Sequence, residues 1–241
     1  MKKVLITGAT SGIGQELAEQ MAKKGYIVGL IGRRTERLEQ ITKQIGEHAY
    51  YRTCDVTDHE TAYDIYDDLI SEMGGMDIMI LNAGVGIETL LPKWEADYKT
   101  IQVNVTAFVH GANFAFKYFK CQNHGQIVGM SSIASHLALG RIAAYTASKH
   151  FISNYMTGLR QKANKLDLKI AITDIRPGYV VSEMTKKSKE MFWVASTEKA
   201  VYQMIKGIEK NKKRVYVTKK WKLIALIAKL TPQYVWDRLK F

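Results

Sequence analysis

Short apolar runs alternate along this chain with longer stretches of helical period. The runs are "KVLIT" (3–7), "YIVGLIG" (26–32), "AYYRTCD" (49–55), "DIMILNAG" (77–84), "QIVGMSS" (126–132), "KIAITDIRPG" (169–178) and "RVYVT" (214–218). Helical patterns fill the gaps at 12–25, 35–46, 58–73, 95–120, 143–165 and 197–210. Runs that are apolar on both faces need cover on both sides. Strands of that kind, each followed by a helix, predict an α/β fold. The expected form is a Rossmann-like, doubly wound, seven-stranded parallel sheet with helices on both faces. Its ligand crevice lies at the C-terminal ends of the strands.

Three prolines, no Gly/Ser linker and no internal repeat predict a single domain over 1–218, followed by an extension at 219–241. The 241 residues and 46% hydrophobic content supply a core that needs no staples. Cys54 and Cys121 have no ligand or CxxC spacing, so both read as buried thiols in a reducing compartment. The opening "MKKVLITGAT" reads as a first strand rather than a leader. No run approaches the roughly 20 apolar residues of a membrane helix. A cytoplasmic protein is expected.

The net charge of +12 is concentrated at one end: residues 210–241 hold ten Lys or Arg against Asp237 alone. Any contact with an anionic partner therefore belongs to that segment. In "KKWKLIALIAKLTPQYVWDRLKF" (219–241), Trp221, Leu223, Ile224, Leu226, Ile227 and Leu230 sit among Lys219, Lys220, Lys222 and Lys229. This is an amphipathic helix pattern too short to span a bilayer. It suits docking on the protein's own lid or on a second subunit, and it also suits an anionic membrane surface. No DNA- or RNA-reading motif is present, so no nucleic acid is expected.

Polar and glycine motifs recur at the strand ends. "TGATSGIG" (7–14) sets Gly8, Gly12 and Gly14 between the first strand and first helix. Glycines there let the backbone approach a pyrophosphate, and the helix N-terminus adds free N–H groups and positive dipole. The second strand ends in Gly32, Arg33 and Arg34. A cofactor with a free ribose 2′-hydroxyl favours an acid at this point, whereas two guanidiniums suit a 2′-phosphate, so NADP(H) is expected over NAD(H). Asp55 in "CDV" (54–56) could accept from an adenine amino group or merely hold a turn. Asn104 falls inside a helix, where a buried Asn needs partners. Ser132 lies at the end of the fifth strand. Tyr145 and Lys149 lie one helical turn apart, an ammonium beside a phenol.

With Gly8, Gly12, Gly14, Asn82–Ala83–Gly84, Asn104, Ser132, Tyr145 and Lys149 in order, the chain resembles the short-chain dehydrogenase/reductase family from residue 3 to about 218. The resemblance implies an oxidoreductase that interconverts a carbonyl and a secondary alcohol by hydride transfer. Tyr145 would be the general acid or base. Lys149 would lower the phenol's pKa, Ser132 would hold the carbonyl oxygen, and Asn104 would hold a water in a proton relay. The cofactor would lie along Gly8, Thr10, Ser11, Gly12, Ile13, Gly14, Arg33, Arg34, Asp55, Val56, Asn82, Ala83, Gly84, Tyr145, Lys149, Pro177, Gly178, Val180 and Ser182. Ser182 stands where the family often has Thr. No metal is expected. A lid at 179–195, with Met184, Met191, Phe192 and Trp193, would face a moderately hydrophobic carbonyl compound or pack onto the core. His136 and Leu137 could line the same pocket. The family often forms dimers or tetramers through its two long helices. Two alternatives stay open: a membrane-surface reductase of a lipid-like ketone, and a non-catalytic NADP-binding sensor or scaffold.

Overall fold

The computed structural model describes residues 1–183, 185 and 192–238. Its strands are β1 (Lys3–Thr7), β2 (Ile27–Gly32), β3 (Ala49–Thr53), β4 (Ile78–Leu81), β5 (His124–Met130), β6 (Lys169–Pro177) and β7 (Arg214–Val217). They form one parallel sheet in the order β3-β2-β1-β4-β5-β6-β7. The chain winds outward from β1 to β3, then restarts on the other side of β1 with β4. That reversal leaves a crevice between the C-terminal ends of β1 and β4.

Strand periodicity sends alternate residues into two separate cores. Val4, Ile6, Val28, Leu30, Ile78 and Ile80 face one core, shared with α1 (Gly12–Lys23), α2 (Thr35–Ile45) and α7 (Thr197–Glu209). Leu5, Ile31, Met79, Leu81, Ile127 and Ile172 face the other. That core is covered by α3 (Ala62–Glu72), α5 (Ala107–Gln122) and α6 (Ala143–Lys165). In α1 the buried Gly14, Leu17, Ala18 and Met21 recur at helical spacing, which is why this stretch folds as a helix laid on the sheet.

Several boundaries differ from the sequence expectation. Strand β4 stops at Leu81 rather than Gly84, because Asn82 and Ala83 turn away to bond the end of β1. The helix expected over 95–120 is α4 (Trp94–Ile101) and α5 joined through a π-helical turn at Gln102–Thr106, which carries Asn104. Cys54 is buried as expected, and its thiol is pushed up to about 11 by burial. Cys121 is exposed, contrary to the expectation of a buried thiol. It sits in the last turn of α5 between exposed Lys120 and Asn123, where the helix surfaces and ends.

The extension folds as α8 (Trp221–Leu230), followed after Pro232 by the short α9 (Gln233–Trp236). Trp221 is almost fully buried and clusters with Ile133, Ala225 and Tyr179. Its indole rests on Gly178, where an added Cβ would fall 1.9 Å from Nε1. One face of α8 is thus docked on the protein's own segment after β6. Truncating a buried Trp typically costs about 3–5 kcal/mol. Trp221→Ala is expected to lower stability by roughly that amount and to speed proteolysis within 219–238. The urea midpoint and limited proteolysis check this.

Candidate active site

The crevice at the strand ends is a cleft of about 450 Å³ lined by Gly8, Thr10 to Gly14, Arg33, Arg34, Asp55, Asn82 to Val85, Ser132, Tyr145, Lys149, Pro177, Gly178, Val180 and Ser182, among others. Its floor is set by the glycine turn. Gly8 (φ 68°) and Gly12 (φ 54°) hold the left-handed conformation that a side chain resists. Gly14 is excluded from having a side chain for a different reason: an added Cβ would lie 2.1 Å from the Gly8 carbonyl and 2.6 Å from Asn82 Nδ2. Asn82 Nδ2 donates to the Thr7 and Gly8 carbonyls at 3.1 and 3.0 Å. Thr7 Oγ1 accepts from the Asn82 and Ala83 amides at 3.1 and 3.2 Å. Asn82 therefore pins the turn, with its amide committed to backbone.

At the far end, Arg33 and Arg34 both border the cleft. Arg34 donates to Thr10 Oγ1 (2.9 and 3.1 Å), Ser11 Oγ (2.7 Å) and Glu183 (3.1 Å). Arg33 is more exposed and reaches Asp55 at 3.5 Å. Asp55 Oδ1 accepts from the Thr57 amide and hydroxyl. Burial pushes the Asp55 carboxyl up, but the Thr57 bonds and Arg33 outweigh it and hold the group below its ordinary range. Val56 follows on the same wall. Ser182 Oγ lies 3.2 Å from Thr185 Oγ1, which also donates to the Val180 carbonyl. Thr185, Glu183 and Ser131 line the cleft without having been expected from sequence. The spacing Ser182-x-x-Thr185 was the available signal, since such hydroxyls close local turns.

Ser132, Tyr145 and Lys149 converge on one wall. The β5 end supplies Ser132, whose Oγ accepts from Ala134 N at 3.1 Å and donates to the Pro177 carbonyl at 3.3 Å. Tyr145 is half-buried and hydrogen-bonds Ser132. Burial raises the phenol's pKa above its ordinary value; the Ser132 bond opposes this, and nearby Tyr179 adds to it. Lys149 is buried, donates to the Met130 carbonyl at 2.9 Å and lies 5.5 Å from the Tyr145 ring centre. Burial pushes its ammonium down to about 8, against the pull of Asp174. Here the phenol is raised, not lowered, because burial of the phenol itself outweighs the bond from Ser132.

Asn104 lies behind this wall and is fully buried. Its Oδ1 accepts from Val85 N, and its Nδ2 donates to the Val85 carbonyl and Ser148 Oγ, at 2.8, 2.8 and 3.0 Å. Both N–H donors are thereby used, and the side chain fixes the loop after β4. An added Cβ at Gly84 would meet Asn104 Oδ1 at 3.3 Å and Lys149 Nζ at 3.4 Å, which places all three side by side.

His136 does not line the cleft, and neither does Leu137. His136 Nε2 accepts from Arg176 at 2.7 Å, and its imidazolium is held down to about 4 by burial and by Arg176. Arg176 also pairs with buried Asp174 at 2.7 Å and donates to Tyr216 Oη. Asp174 accepts from Ser131 and Ser153. In the lid, Val180 bridges Ala195, and Phe192 and Trp193 pack on Trp221. Met184 and Met191 lie outside the described residues.

A Gly-lined strand–turn–helix at a switch point, with a Ser, Tyr and Lys on the facing wall, defines a dinucleotide-using oxidoreductase site in form. The profile of the short chain dehydrogenase family matches residues 2–193. An oxidoreductase of Mycobacterium tuberculosis is 32% identical over 224 residues, covering 90% of this chain and 88% of that protein. Human 15-hydroxyprostaglandin dehydrogenase [NAD(+)] is 30% identical over 216 residues, covering 85% and 79%. A short-chain dehydrogenase from Sphingobium yanoikuyae, solved with NADPH, superposes with a TM-score of 0.82 at 22% identity, covering 100% and 97%. The chain belongs to the short-chain dehydrogenase family.

The fit at Gly14 gives the turn a direct test. Gly14→Ala is expected to force Gly8 and Asn82 apart and to weaken binding of NADPH and NADH alike, by tenfold or more (about 1.4 kcal/mol per tenfold). Fluorescence titration with each cofactor checks it, with circular dichroism confirming the fold.

Proposed function

We propose that the protein is an NADP(H)-dependent oxidoreductase that interconverts a carbonyl and a secondary alcohol. The observation that carries this reading is the convergence of Ser132, Tyr145 and Lys149 on a cleft whose opposite end is the glycine turn and Arg33–Arg34. The residues present suit a dinucleotide. The cradle at Gly8 and Gly14 has no room for a Cβ, and the N-terminus of α1 opens onto it. When bound, the nicotinamide supplies or accepts the hydride.

The chain's own groups do the rest. Tyr145, its proton secured by burial, gives that proton to the carbonyl oxygen as charge develops there. Ser132 Oγ, held by the β5 end, hydrogen-bonds the same oxygen. The Lys149 ammonium stabilises the phenolate left behind. Asn104 positions the loop beside Lys149 through Val85. In the oxidation direction Tyr145 acts as base. Arg33 is the residue more available to a 2′-phosphate, because its ion pair with Asp55 is long and exposed, whereas Arg34 is tied to Thr10, Ser11 and Glu183. Exposed Leu90, Leu91, Trp94, Tyr98 and Phe151 on and beside the two long helical elements support a homo-oligomer. The substrate class is a moderately apolar ketone or alcohol. Its support is Phe192 and Trp193, packed on the Trp221 that rests on cleft-lining Gly178, and a relative named for a prostaglandin alcohol.

The deciding experiment is a side-by-side fluorescence titration with NADPH and NADH, for wild type and Arg33→Ala. Tighter NADPH binding that falls toward the NADH level in Arg33→Ala is expected. Equal affinity for both, unaffected by the substitution, overturns the NADP(H) assignment. Absence of binding to either overturns the dinucleotide reading altogether. For a ketone that the protein reduces, Tyr145→Phe is expected to lower kcat by roughly 10²–10⁴-fold.

The pH dependence follows from two opposite shifts. The phenol is raised and stays protonated through neutrality, so it imposes no limb there. The ammonium titrates at about 8 and loses its charge above that pH. Reductive kcat/KM is therefore expected to be flat below about pH 8 and to fall above it. A pH–rate profile checks this, and Lys149→Met is expected to lack that limb.

A further inference from the structure

Helix α8 is apolar on two opposite faces. The inner face, Trp221, Ala225 and Ala228 with half-buried Ile224, is docked. The outer face is Leu223, Leu226, Ile227 and Leu230, which are 57, 55, 53 and 75% exposed. At 3.6 residues per turn these four side chains share an arc of about 100°, the width of an apolar stripe that normally seeks cover. Lys222 and Lys229, both exposed, project together from one flank of that stripe. Lys219 and Lys220 stand at its N-terminal end. Phe192 and Trp193, half-exposed, pack on the inner-face Trp221, with Lys220 Nζ 5.6 Å from the Trp193 ring centre.

The chemistry of this surface selects its occupant. Over 219–238 five cations (Lys219, Lys220, Lys222, Lys229 and Arg238) face one acid, Asp237. A second copy packed on the stripe brings the same excess of cations and, over 219–238, offers these lysines no acid but Asp237. The four outer side chains carry no hydrogen-bonding group, so they cannot register a specific polar partner. A helix of ten residues is about 15 Å long and too short to cross a bilayer. Apolar stripe, lysine flank and short length together match a helix lying in the plane of an anionic lipid surface.

We propose that α8 is a membrane-surface anchor. Leu223, Leu226, Ile227 and Leu230 enter the boundary between headgroups and acyl chains of an anionic bilayer, while Lys219, Lys220, Lys222 and Lys229 meet the lipid phosphates. Docking of Trp221 on Gly178 keeps the anchor rigid with respect to the cleft, so an apolar substrate dissolved in the bilayer has a short path to it. The proposal is independent of which cofactor the cleft takes.

The test is flotation of the full chain with phosphatidylcholine vesicles, alone and mixed with phosphatidylglycerol. The variants are Leu226→Glu/Ile227→Glu and Lys222→Glu/Lys229→Glu, all at exposed positions that do not line the cleft. Binding to the phosphatidylglycerol vesicles is expected, reduced by raised salt and reduced roughly tenfold or more by either double substitution. NADPH titration of the variants should be unchanged. Three results overturn the proposal: no flotation with anionic vesicles, equal flotation with neutral ones, or anionic binding untouched by Leu226→Glu/Ile227→Glu. A change of sedimentation coefficient in that variant without any vesicle binding by wild type also overturns it, in favour of a second copy on the stripe.

Discussion

At Gly14 no Cβ fits between the Gly8 carbonyl and the Asn82 amide, and the glycine turn of the site is arranged around that close approach. It brings the start of α1 against the end of β1, and it ties both to the end of β4 through Thr7 and Asn82. β1 and β4 are the neighbours between which the strand order reverses. The same three residues that close the backbone gap therefore also fix the width of the crevice. A side chain at Gly14 could not be absorbed by rotamer adjustment, because what it meets is backbone. The loop after β4 is then held a second time, by the amide of Asn104 on Val85. Lys149, buried beside this turn at Gly84, is held by its own bond to the Met130 carbonyl.

Buried charge is distributed so that Lys149 remains useful. Taking an ammonium out of water favours its neutral form. The Met130 carbonyl gives it one acceptor, and Asp174 supplies the opposing charge. Asp174 is itself buried and would be costly alone, but Arg176, Ser131 and Ser153 satisfy it. Arg176 in turn reaches His136 and Tyr216, carrying the network to the edge strand β7 and toward α8. The wall that carries Ser132, Tyr145 and Lys149 is backed by one connected set of polar groups linking β5, β6, β7 and α6.

Much of this was legible in the sequence, for reasons that differ by level. Strands such as Val4–Leu5–Ile6 are apolar at every position because both faces are buried, so their pattern announces a covered parallel sheet. The glycine turn and the Tyr145–Lys149 spacing were readable because local geometry alone fixes them. What escaped was set by tertiary neighbours. The sequence could not show that Gly178 makes room for Trp221, forty-three residues on, as well as bordering the cleft. Nor could it show that His136 serves Arg176 rather than the pocket. Nor could chain spacing show how much water is removed from Tyr145 and Lys149, because it gives the distance to a neighbouring charge but not the burial of either partner.

The extension illustrates how far a pattern of apolar spacing can be pushed. Its sequence left docking and a lipid surface as rival destinations for a single stripe. In the folded chain they are not rivals, because ten residues present two stripes on opposite sides of one helix. The inner stripe is built around one large side chain and two alanines, which lets the helix lie close against the segment after β6. The outer stripe is entirely Leu and Ile, with lysines along one flank. A helix needed only for docking would gain solubility from polar residues at 223, 226, 227 and 230. Their absence is a cost that a free soluble surface gives no reason to bear. The asymmetry between a small-residue inner face and a bulky outer one shows that the docked face shapes the fold, while the outer face is available to an apolar surface outside the chain.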